Sequence, residues 1–206
     1  MLGLIGKKIG MTRIFDEQGL MIPVTVIQAG PCKIIQIKTA DKDGYNALQV
    51  GFGQRKEKNV IRPLKGHLKK FENYFPQVLK EFRVETVEGY ELGQELNTEI
   101  FNVGEGVDVG GVIKGRGFQG VVKRHGHSGG DETHGNTSHR VPGSVGSSAD
   151  PSRCWKNLKL PGQYGNTNQK ALNLKVAKVD SGRNCLFVRG AVPGPTSGLV
   201  TVYKKK

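Results

Sequence analysis

The sequence has neither a long apolar stretch nor a pattern of paired cysteines. Apolar residues make up 36% of its 206 positions, and no run approaches the roughly 20 residues of a membrane-spanning helix. The three cysteines, Cys32, Cys154 and Cys185, lie far apart and are odd in number, which argues against a disulfide framework or a Cys-x-x-Cys metal knuckle. No segment of the first residues is apolar enough for a secretory signal. These absences predict a cytoplasmic protein.

Acidic residues are also scarce relative to basic ones. The chain has 31 Lys and Arg against 18 Asp and Glu, a net charge of +13, and its pI is near 9.8. Such an excess predicts a polyanionic partner, with nucleic acid first and an acidic membrane surface second. The sequence contains no basic amphipathic helix, which favours nucleic acid over the membrane surface.

Short runs rich in β-branched residues recur along the chain, separated by turn-forming residues. This spacing, about one strand every 8–12 residues, predicts an antiparallel barrel or sandwich. Pro23 lies inside the first run and, because it lacks an N–H donor, favours an edge position or a bulge there. The predicted strands are Leu20–Ile27, Lys33–Lys38, Tyr45–Val50, Val78–Val84, Val107–Ile113, Leu172–Val179, Cys185–Val188 and Leu199–Val202.

Turn-forming residues separate these strands. The residues Asp16–Gly19, Asp41–Gly44 and Asp180–Gly182 predict turns between neighbouring strands. The basic run Gly66–Phe71 predicts a short helix or an excursion from the sheet.

Between residues 114 and 170 the composition changes sharply. This segment holds nine bases against three acids, a net charge of +6, and few apolar side chains between residues 125 and 150. Ordering such a chain costs about 1–2 kcal/mol per residue, which its own side chains cannot offset. It is therefore either a disordered surface loop or a segment ordered by an anionic partner, and we favour the second. The bases are Lys114, Arg116, Lys123, Arg124, Arg140, Arg153, Lys156, Lys159 and Lys170.

Gly115–Gly120 matches the dinucleotide-binding pattern G-x-G-x-x-G. A strand ending at Val112–Ile113 and a short helix over Phe118–Arg124 are compatible with it. However, the acidic residue expected about 20 positions later is absent, and the surrounding chain is not βαβ. The glycines and Arg116 fit the close approach of a backbone to RNA phosphates better than they fit a cofactor.

Four of the five histidines lie in this basic segment, at His125, His127, His134 and His139. Structural zinc sites usually need cysteine-rich tetrads at fixed spacings, which this segment lacks. Histidine also stacks on bases and bonds to phosphates and 2′-hydroxyls, so we favour RNA contact over a metal site. Ser138, His139 and Asp150 have no nucleophile-elbow sequence around them, and we expect no hydrolase triad there.

Four motifs, in order, resemble the bacterial large-subunit ribosomal protein L3 family, and the resemblance runs nearly from end to end. They are Gly3–Phe15 (GLIGKKIGMTRIF), Gly115–Arg124 (GRGFQGVVKR), the run from Thr133 to Gly146, and Arg189–Gly194 (RGAVPG). In some bacteria a glutamine shortly after the third motif is methylated. Here Ser147, Ser148 and Ala149 follow Gly146, so the resemblance does not predict that modification.

The resemblance implies an elongation-factor-like antiparallel β-barrel and a long, mostly irregular basic extension inserted before the last strands. The barrel domain would comprise residues 1–113 and 171–206, with a small excursion around 55–76. A glycine-rich arm would comprise residues 114–170, with its tip around residues 140–155.

By the same resemblance the chain is a structural constituent of the large ribosomal subunit. It would bind 23S ribosomal RNA near the 3′ end, nucleate assembly, contact neighbouring ribosomal proteins and extend its arm toward the peptidyl transferase centre.

We expect a non-catalytic protein without metal or cofactor, in which bases neutralise phosphates and release counterions. Trp155, the only tryptophan, either stacks on an unpaired base or packs at the base of the arm with Leu158 and Leu160. An enzyme acting on RNA through the histidines and a free-standing translation factor are the alternatives; no G-x-x-x-x-G-K-[ST] loop supports a GTPase. The predicted RNA-binding residues are Lys7, Lys8, Arg13, Lys114, Arg116, Phe118, Lys123, Arg124, His125, His134, Asn136, His139, Arg140, Arg153, Trp155, Lys156, Lys159 and Gln163.

Overall fold

Strands form most of the regular structure of the protein. A computed structural model describes residues 2–71 and 74–205, and these ranges contain twelve strands and three short helices. The predicted mainly β fold with an antiparallel barrel is confirmed. Residues 72 and 73 of the predicted excursion, and residues 1 and 206 of the predicted barrel domain, lie outside the described residues.

By their contacts, residues 1–113 and 168–206 form a first unit, and residues 114–167 form a second. The helices are α1 (Ala40–Asp43), α2 (Arg62–His67) and α3 (Val121–His125), and 3-10 turns lie at Glu57–Asn59 and Thr98–Ile100. The strands are β1 (Gly3–Phe15), β2 (Met21–Ala29), β3 (Cys32–Lys38), β4 (Ala47–Phe52), β5 (Val78–Arg83), β6 (Glu95–Leu96), β7 (Gly106–Val112), β8 (Gly117–Gln119), β9 (Gly162–Tyr164), β10 (Asn168–Asp180), β11 (Cys185–Arg189) and β12 (Leu199–Lys204).

Six strands of the first unit close into a barrel in the order β1-β12-β7-β10-β11-β2, with β2 pairing back onto β1. Every pair is antiparallel, and closure satisfies the backbone groups that an open edge would leave unpaired. One row of partners crosses three strands, because Thr201 of β12 faces Gly110 of β7, which in turn faces Lys170 of β10.

Close strand packing explains a glycine in the first motif. A Cβ atom on Gly6 of β1 would lie 2.6 Å from the carbonyl oxygen of Gln28 on β2. Real Cβ atoms do not approach backbone that closely, so only glycine fits at this point. The motif that carries the family resemblance therefore also builds the barrel wall.

A second sheet, in the order β5-β4-β3-β6, packs on the same hydrophobic core as the barrel. Phe82 of β5 and Leu48 of β4 are buried in one cluster with Leu4 and Val202 of the barrel. Each such side chain contributes about 1.5–3 kcal/mol when fully buried. This shared core holds the second sheet, and with it the residues of β5, in place within the first unit.

The strand that holds Pro23 differs in part from the prediction. Strand β2 is not an edge strand, because it pairs with β1 on one side and with β11 on the other, but Pro23 itself pairs only with Arg13 of β1. The pairing with β11 ends at Val24, and the carbonyl oxygen of Pro23 accepts a hydrogen bond from the N–H of Gly190. Because proline has no N–H, the second bond of this pair, to the carbonyl oxygen of Gly190, cannot form. That oxygen accepts the hydroxyl of Thr25 at 2.6 Å instead.

Three local elements also differ from their predicted form. The predicted turn at 41–44 is the single-turn helix α1, which ends at Gly44 in the left-handed conformation. The helix of the basic excursion lies at Arg62–His67, earlier than the predicted run 66–71, with Pro63 in its first turn. Strand β10 begins at Asn168, inside the range that the resemblance assigned to the arm.

Candidate RNA-binding segment

A two-stranded ribbon organises the ends of the second unit. Strand β8 pairs with β9 in antiparallel register, which places Phe118 opposite Gln163. The N–H of Arg116 donates to the carbonyl oxygen of Tyr164 at 2.9 Å, and the Arg116 guanidinium lies 5.2 Å from the centre of the Tyr164 ring. The Phe118 side chain is 75% exposed, so the ribbon presents an uncovered aromatic ring that could stack on a base.

Gly165 lets the chain fold tightly beside the ribbon. Its φ is +70°, which L side chains rarely adopt, and a Cβ atom there would clash with the carbonyl oxygen of Lys114. Gly165 is itself buried. The two ends of the second unit therefore run against each other at this point.

Helix α3 follows the ribbon and supplies two anchors for the returning chain. The Arg124 guanidinium donates to the carbonyl oxygen of Leu160 at 2.6 Å, and Nε2 of His125 donates to the same oxygen at 3.0 Å. The helix ends at Gly126, which takes the left-handed conformation that commonly stops a helix. Arg124 and His125 thus close the loop that runs from residue 126 to residue 159.

Within that loop, residues 129–139 form a turn held by its own polar groups. The N–H of Gly130 donates to the carbonyl oxygen of His139 at 2.9 Å. Nδ1 of His139 and Nδ2 of Asn136 both donate to the carbonyl oxygen of Asp131, at 2.8 Å and 2.7 Å. Side chains therefore supply hydrogen-bond partners for backbone polar groups here, where no regular strand ladder does so.

Residues 126–159 contain neither helix nor strand, and nearly all of their side chains are exposed. Trp155 is 60% exposed, with the Arg153 guanidinium 5.3 Å from its ring centre. Leu158 is 39% exposed as well, so this stretch buries little apolar surface of its own. An exposed indole beside a guanidinium is typical of proteins that stack on unpaired bases.

The second unit, which is described in full, carries eight bases and three acids. Within this unit, none of the lysines or arginines forms an ion pair with a carboxylate. Cations that no carboxylate neutralises, along an irregular and exposed chain, are suited to phosphate neutralisation.

The predicted RNA-binding residues fall into two groups. Four are partly buried, with polar groups that bond to the chain itself: Lys8, Arg124, His125 and Asn136. The others are exposed: Lys7, Arg13, Lys114, Arg116, Phe118, Lys123, His134, His139, Arg140, Arg153, Trp155, Lys156, Lys159 and Gln163.

Lys8 shows most clearly how a predicted RNA contact can also serve the fold. Its ammonium group donates to the carbonyl oxygens of Val192 and Gly194, at 2.7 Å and 3.1 Å. This contact therefore joins Gly3–Phe15, the first of the four family motifs, to Arg189–Gly194, the last of them. Lys7 and Arg13, on the same strand, are exposed.

The geometry does not support a dinucleotide site at Gly115–Gly120. Strand β7 before this motif pairs antiparallel with β10 and β12, whereas a dinucleotide fold needs parallel βαβ units. The predicted helix over 118–124 begins only at Val121, because Phe118 and Gln119 belong to β8.

Two of the four histidines of the basic segment donate hydrogen bonds to backbone carbonyl oxygens, His125 to that of Leu160 and His139 to that of Asp131. No group of three or more His, Cys, Asp or Glu that could hold a metal occurs within residues 2–71 and 74–205. The rings of His125 and His127 lie 6.1 Å apart, centre to centre. Nδ1 of His139 bonds to a backbone carbonyl, and no hydrogen bond joins it to Ser138 or Asp150 in this fully described segment.

Two contributors to the site were missed from the sequence. Tyr164 supports the Arg116 guanidinium, and Leu160 supplies the carbonyl oxygen on which Arg124 and His125 converge. The glycines that flank Gln163 and Tyr164 did not suggest a strand, because glycine is uncommon in strands. The shared carbonyl leaves no sequence signal, since any residue carries one.

A comparison with protein-family models supports the interpretation of the chain as an RNA-binding protein. The model of ribosomal protein L3 matches residues 81–186, just over half of the chain. No helix in the described parts of the chain is long and apolar enough to cross a membrane. Members of that family are structural proteins of the large ribosomal subunit that bind its RNA and contact its other proteins, and so act in the cytoplasm. With the family model matching over half of its length, this chain belongs to the ribosomal protein L3 family.

Proposed function

We propose that the chain is a bacterial-type primary RNA-binding protein that binds 23S ribosomal RNA near its 3′ end and nucleates assembly of the large subunit. Its segment 114–170 is the arm that extends toward the peptidyl transferase centre. The observation that carries this proposal is the row of bases in residues 114–167, which form no ion pair with a carboxylate of that fully described segment, on a chain that is irregular and exposed over 126–159.

The arm acts without catalysis. Each Lys or Arg that reaches a phosphate releases condensed counterions, which supplies affinity independent of base sequence. Residues such as Phe118 and Trp155, both largely exposed, add stacking on unpaired bases. Arg124 and His125 shape the arm by holding the carbonyl of Leu160, and they expose the remaining bases to RNA.

Most of the affinity comes from the barrel and from the bases at the start of the arm, Lys114, Arg116, Lys123 and Arg124. Residues near the tip touch RNA at one place and tune how the catalytic RNA packs. This division follows from geometry, since a broad charged surface engages many phosphates whereas a tip engages few.

The test measures the affinity for purified 23S ribosomal RNA as a function of salt concentration. The triple variant Lys114→Gln, Arg116→Gln and Lys123→Gln should lower the slope of log K against log salt by roughly 2–3, at 0.7–0.9 per lost contact. Each of these side chains is exposed, so the variant should fold.

The matched control removes three exposed lysines of the first unit, Lys42, Lys56 and Lys58, by substitution with glutamine. It changes the net charge by the same amount and should alter the slope less. Equal slopes for both triple variants, or binding that is insensitive to salt, would show that the arm's bases are not the phosphate contacts.

A further inference from the structure

We infer that the barrel wall carries a second RNA site, in which Lys80 and Lys170 hold the sugar-phosphate backbone of ribosomal RNA over Gly110 and Tyr203. The site lies wholly within the first unit: Lys170 belongs to strand β10 of that unit, although it falls at the end of the segment 114–170 that we propose as the arm. It deepens the proposed function and shares its premise that the chain binds ribosomal RNA.

The site is a cleft of about 570 Å³ on the outer face of strands β7, β10 and β12. Its floor is the row in which Gly110 lies between Thr201 and Lys170. Because Gly110 has no side chain, Lys170 from one side and Tyr203 from the other lie within van der Waals reach of the space above it. Lys80 of β5 lines the cleft as well.

Two ammonium groups converge on one aromatic ring in this cleft. Nζ of Lys170 lies 4.7 Å from the centre of the Tyr203 ring, and Nζ of Lys80 lies 5.8 Å from it. Lys80 also donates to the hydroxyl of Thr201 at 2.9 Å. Both lysines line the same cleft, so an anion bound there would be attracted by both charges.

No carboxylate of the described residues lines this cleft. Within the described ranges 2–71 and 74–205, neither Lys80 nor Lys170 forms an ion pair. Asp108 shares the outer face of β7 but does not line the cleft, and its Oδ1 accepts the N–H of Asn173 at 2.9 Å. The cleft therefore presents net positive charge to solvent.

The polar residues at the rim favour a nucleic-acid backbone as the occupant. Asn168 and Gln169 are exposed, line the cleft and can donate to phosphate oxygens or bond to 2′-hydroxyls. The established polyanion partner of the family is ribosomal RNA, and phosphate neutralisation by paired lysines needs no particular base.

The first experiment measures lysine acetylation by mass spectrometry in the full chain, free and bound to purified 23S ribosomal RNA. Lys80 and Lys170 should react severalfold more slowly in the complex, whereas the exposed Lys42 and Lys58 should be affected less. If arm lysines such as Lys123 are protected and Lys80 and Lys170 are not, this inference is wrong and the proposed function stands. If no lysine is protected, both are wrong.

A second experiment uses substitutions in the cleft. The double variant Lys80→Gln and Lys170→Gln should lower the slope of log K against log salt by about 1.4–1.8, at 0.7–0.9 per contact. Gly110→Glu should weaken binding by filling the cleft with a negative charge, and its Cβ lies in ordinary contact, 3.5 Å from Cγ of Lys170. The control double variant Lys42→Gln and Lys58→Gln removes the same number of charges from exposed positions outside the cleft and should alter the slope less. Wild-type binding by the cleft double variant and by Gly110→Glu, with both folded by circular dichroism, would overturn the inference.

Discussion

The guanidinium of Arg124 donates to the carbonyl oxygen of Leu160 at 2.6 Å, and so joins two points of the chain that lie 36 residues apart. His125 donates to the same oxygen. Between these points, residues 126–159 have no helix or strand. The contact therefore sets where the irregular loop begins and ends, and it gives Arg124 a structural role beside its charge.

We predict that Arg124→Ala loosens the closure of this loop. A hydrogen bond to a charged group contributes about 1.5–3 kcal/mol, so amides near Leu160 should exchange hydrogen faster in the variant. Lys123→Ala is the matched control, because it removes the same charge from an exposed neighbour without an internal contact. Equal exchange rates near Leu160 in both variants would refute the structural role of Arg124.

Limited proteolysis should separate the two units of the free protein. We expect the first cuts between residues 126 and 159, because the side chains there are exposed and the backbone lacks a ladder. The barrel should survive as a resistant core, since its strands are closed on both sides. The same sites should be protected in the complex with ribosomal RNA. A loop as resistant as the barrel in the free protein would contradict this expectation.

The pair formed by Lys38 and Glu81 predicts a pH dependence of stability. Their N and O atoms lie 2.8 Å apart, and the hydrogen bond from Lys38 lowers the pKa of Glu81 from its usual 4.5. A lowered pKa means that the stabilisation is present above 4.5 and is lost as the pH falls through the folded-state value. Glu81→Gln should therefore lower the Tm at neutral pH, and the difference from wild type should shrink toward pH 3. A difference that stays constant over this range would exclude the pair as its cause.

The β-branched runs predicted most of the barrel, because alternating burial leaves a direct sequence signal. Val107 and Val109 lie in a run that was predicted as a strand, and the structure buries both; the same holds for Leu186 and Val188. The sequence did not predict strand β1 (Gly3–Phe15) or where it begins and ends. Glycines such as Gly6 lower the strand propensity of this segment. Gly6 is needed because β1 and β2 approach each other closely there, which only the folded structure shows.

The candidate site was predicted as a set of residue types but not as an arrangement. Charge counting found the exposed bases, for example Arg140 and Lys156, because it needs only composition. It could not show that Arg124 bonds to Leu160, or that Lys80 and Lys170 meet at one ring. Contacts between residues so distant in sequence depend on strand order, which local patterns do not encode.

Trp155→Ala should separate binding from function at the arm's tip. The loss of one stacking contact costs about 1–3 kcal/mol, a small part of a binding energy spread over many phosphates. Large subunits carrying the variant should contain the protein in full amount, yet show altered peptidyl transfer or altered sensitivity to drugs of that centre. Quantitative mass spectrometry of purified subunits and a peptidyl transfer assay check both parts. Subunits that lack the protein would show that Trp155 is an anchor instead.

The position of the arm in the assembled subunit is the central claim, and site-directed cross-linking tests it most directly. Cys154 is exposed and lies next to Trp155, so it can carry a photoactivatable group. Burial raises the pKa of the Cys32 thiol to about 12, which keeps it unreactive at neutral pH, and Cys185→Ser removes the remaining thiol. The control places the same group on the first unit by Lys58→Cys in a chain that also carries Cys154→Ser.

After reconstitution into large subunits and illumination, the nucleotides linked to each probe are mapped by primer extension. The probe at Cys154 should link to 23S nucleotides of the peptidyl transferase centre, and the probe at position 58 should not. Links from Cys154 only to RNA remote from that centre, or only to protein, would contradict the placement of the arm.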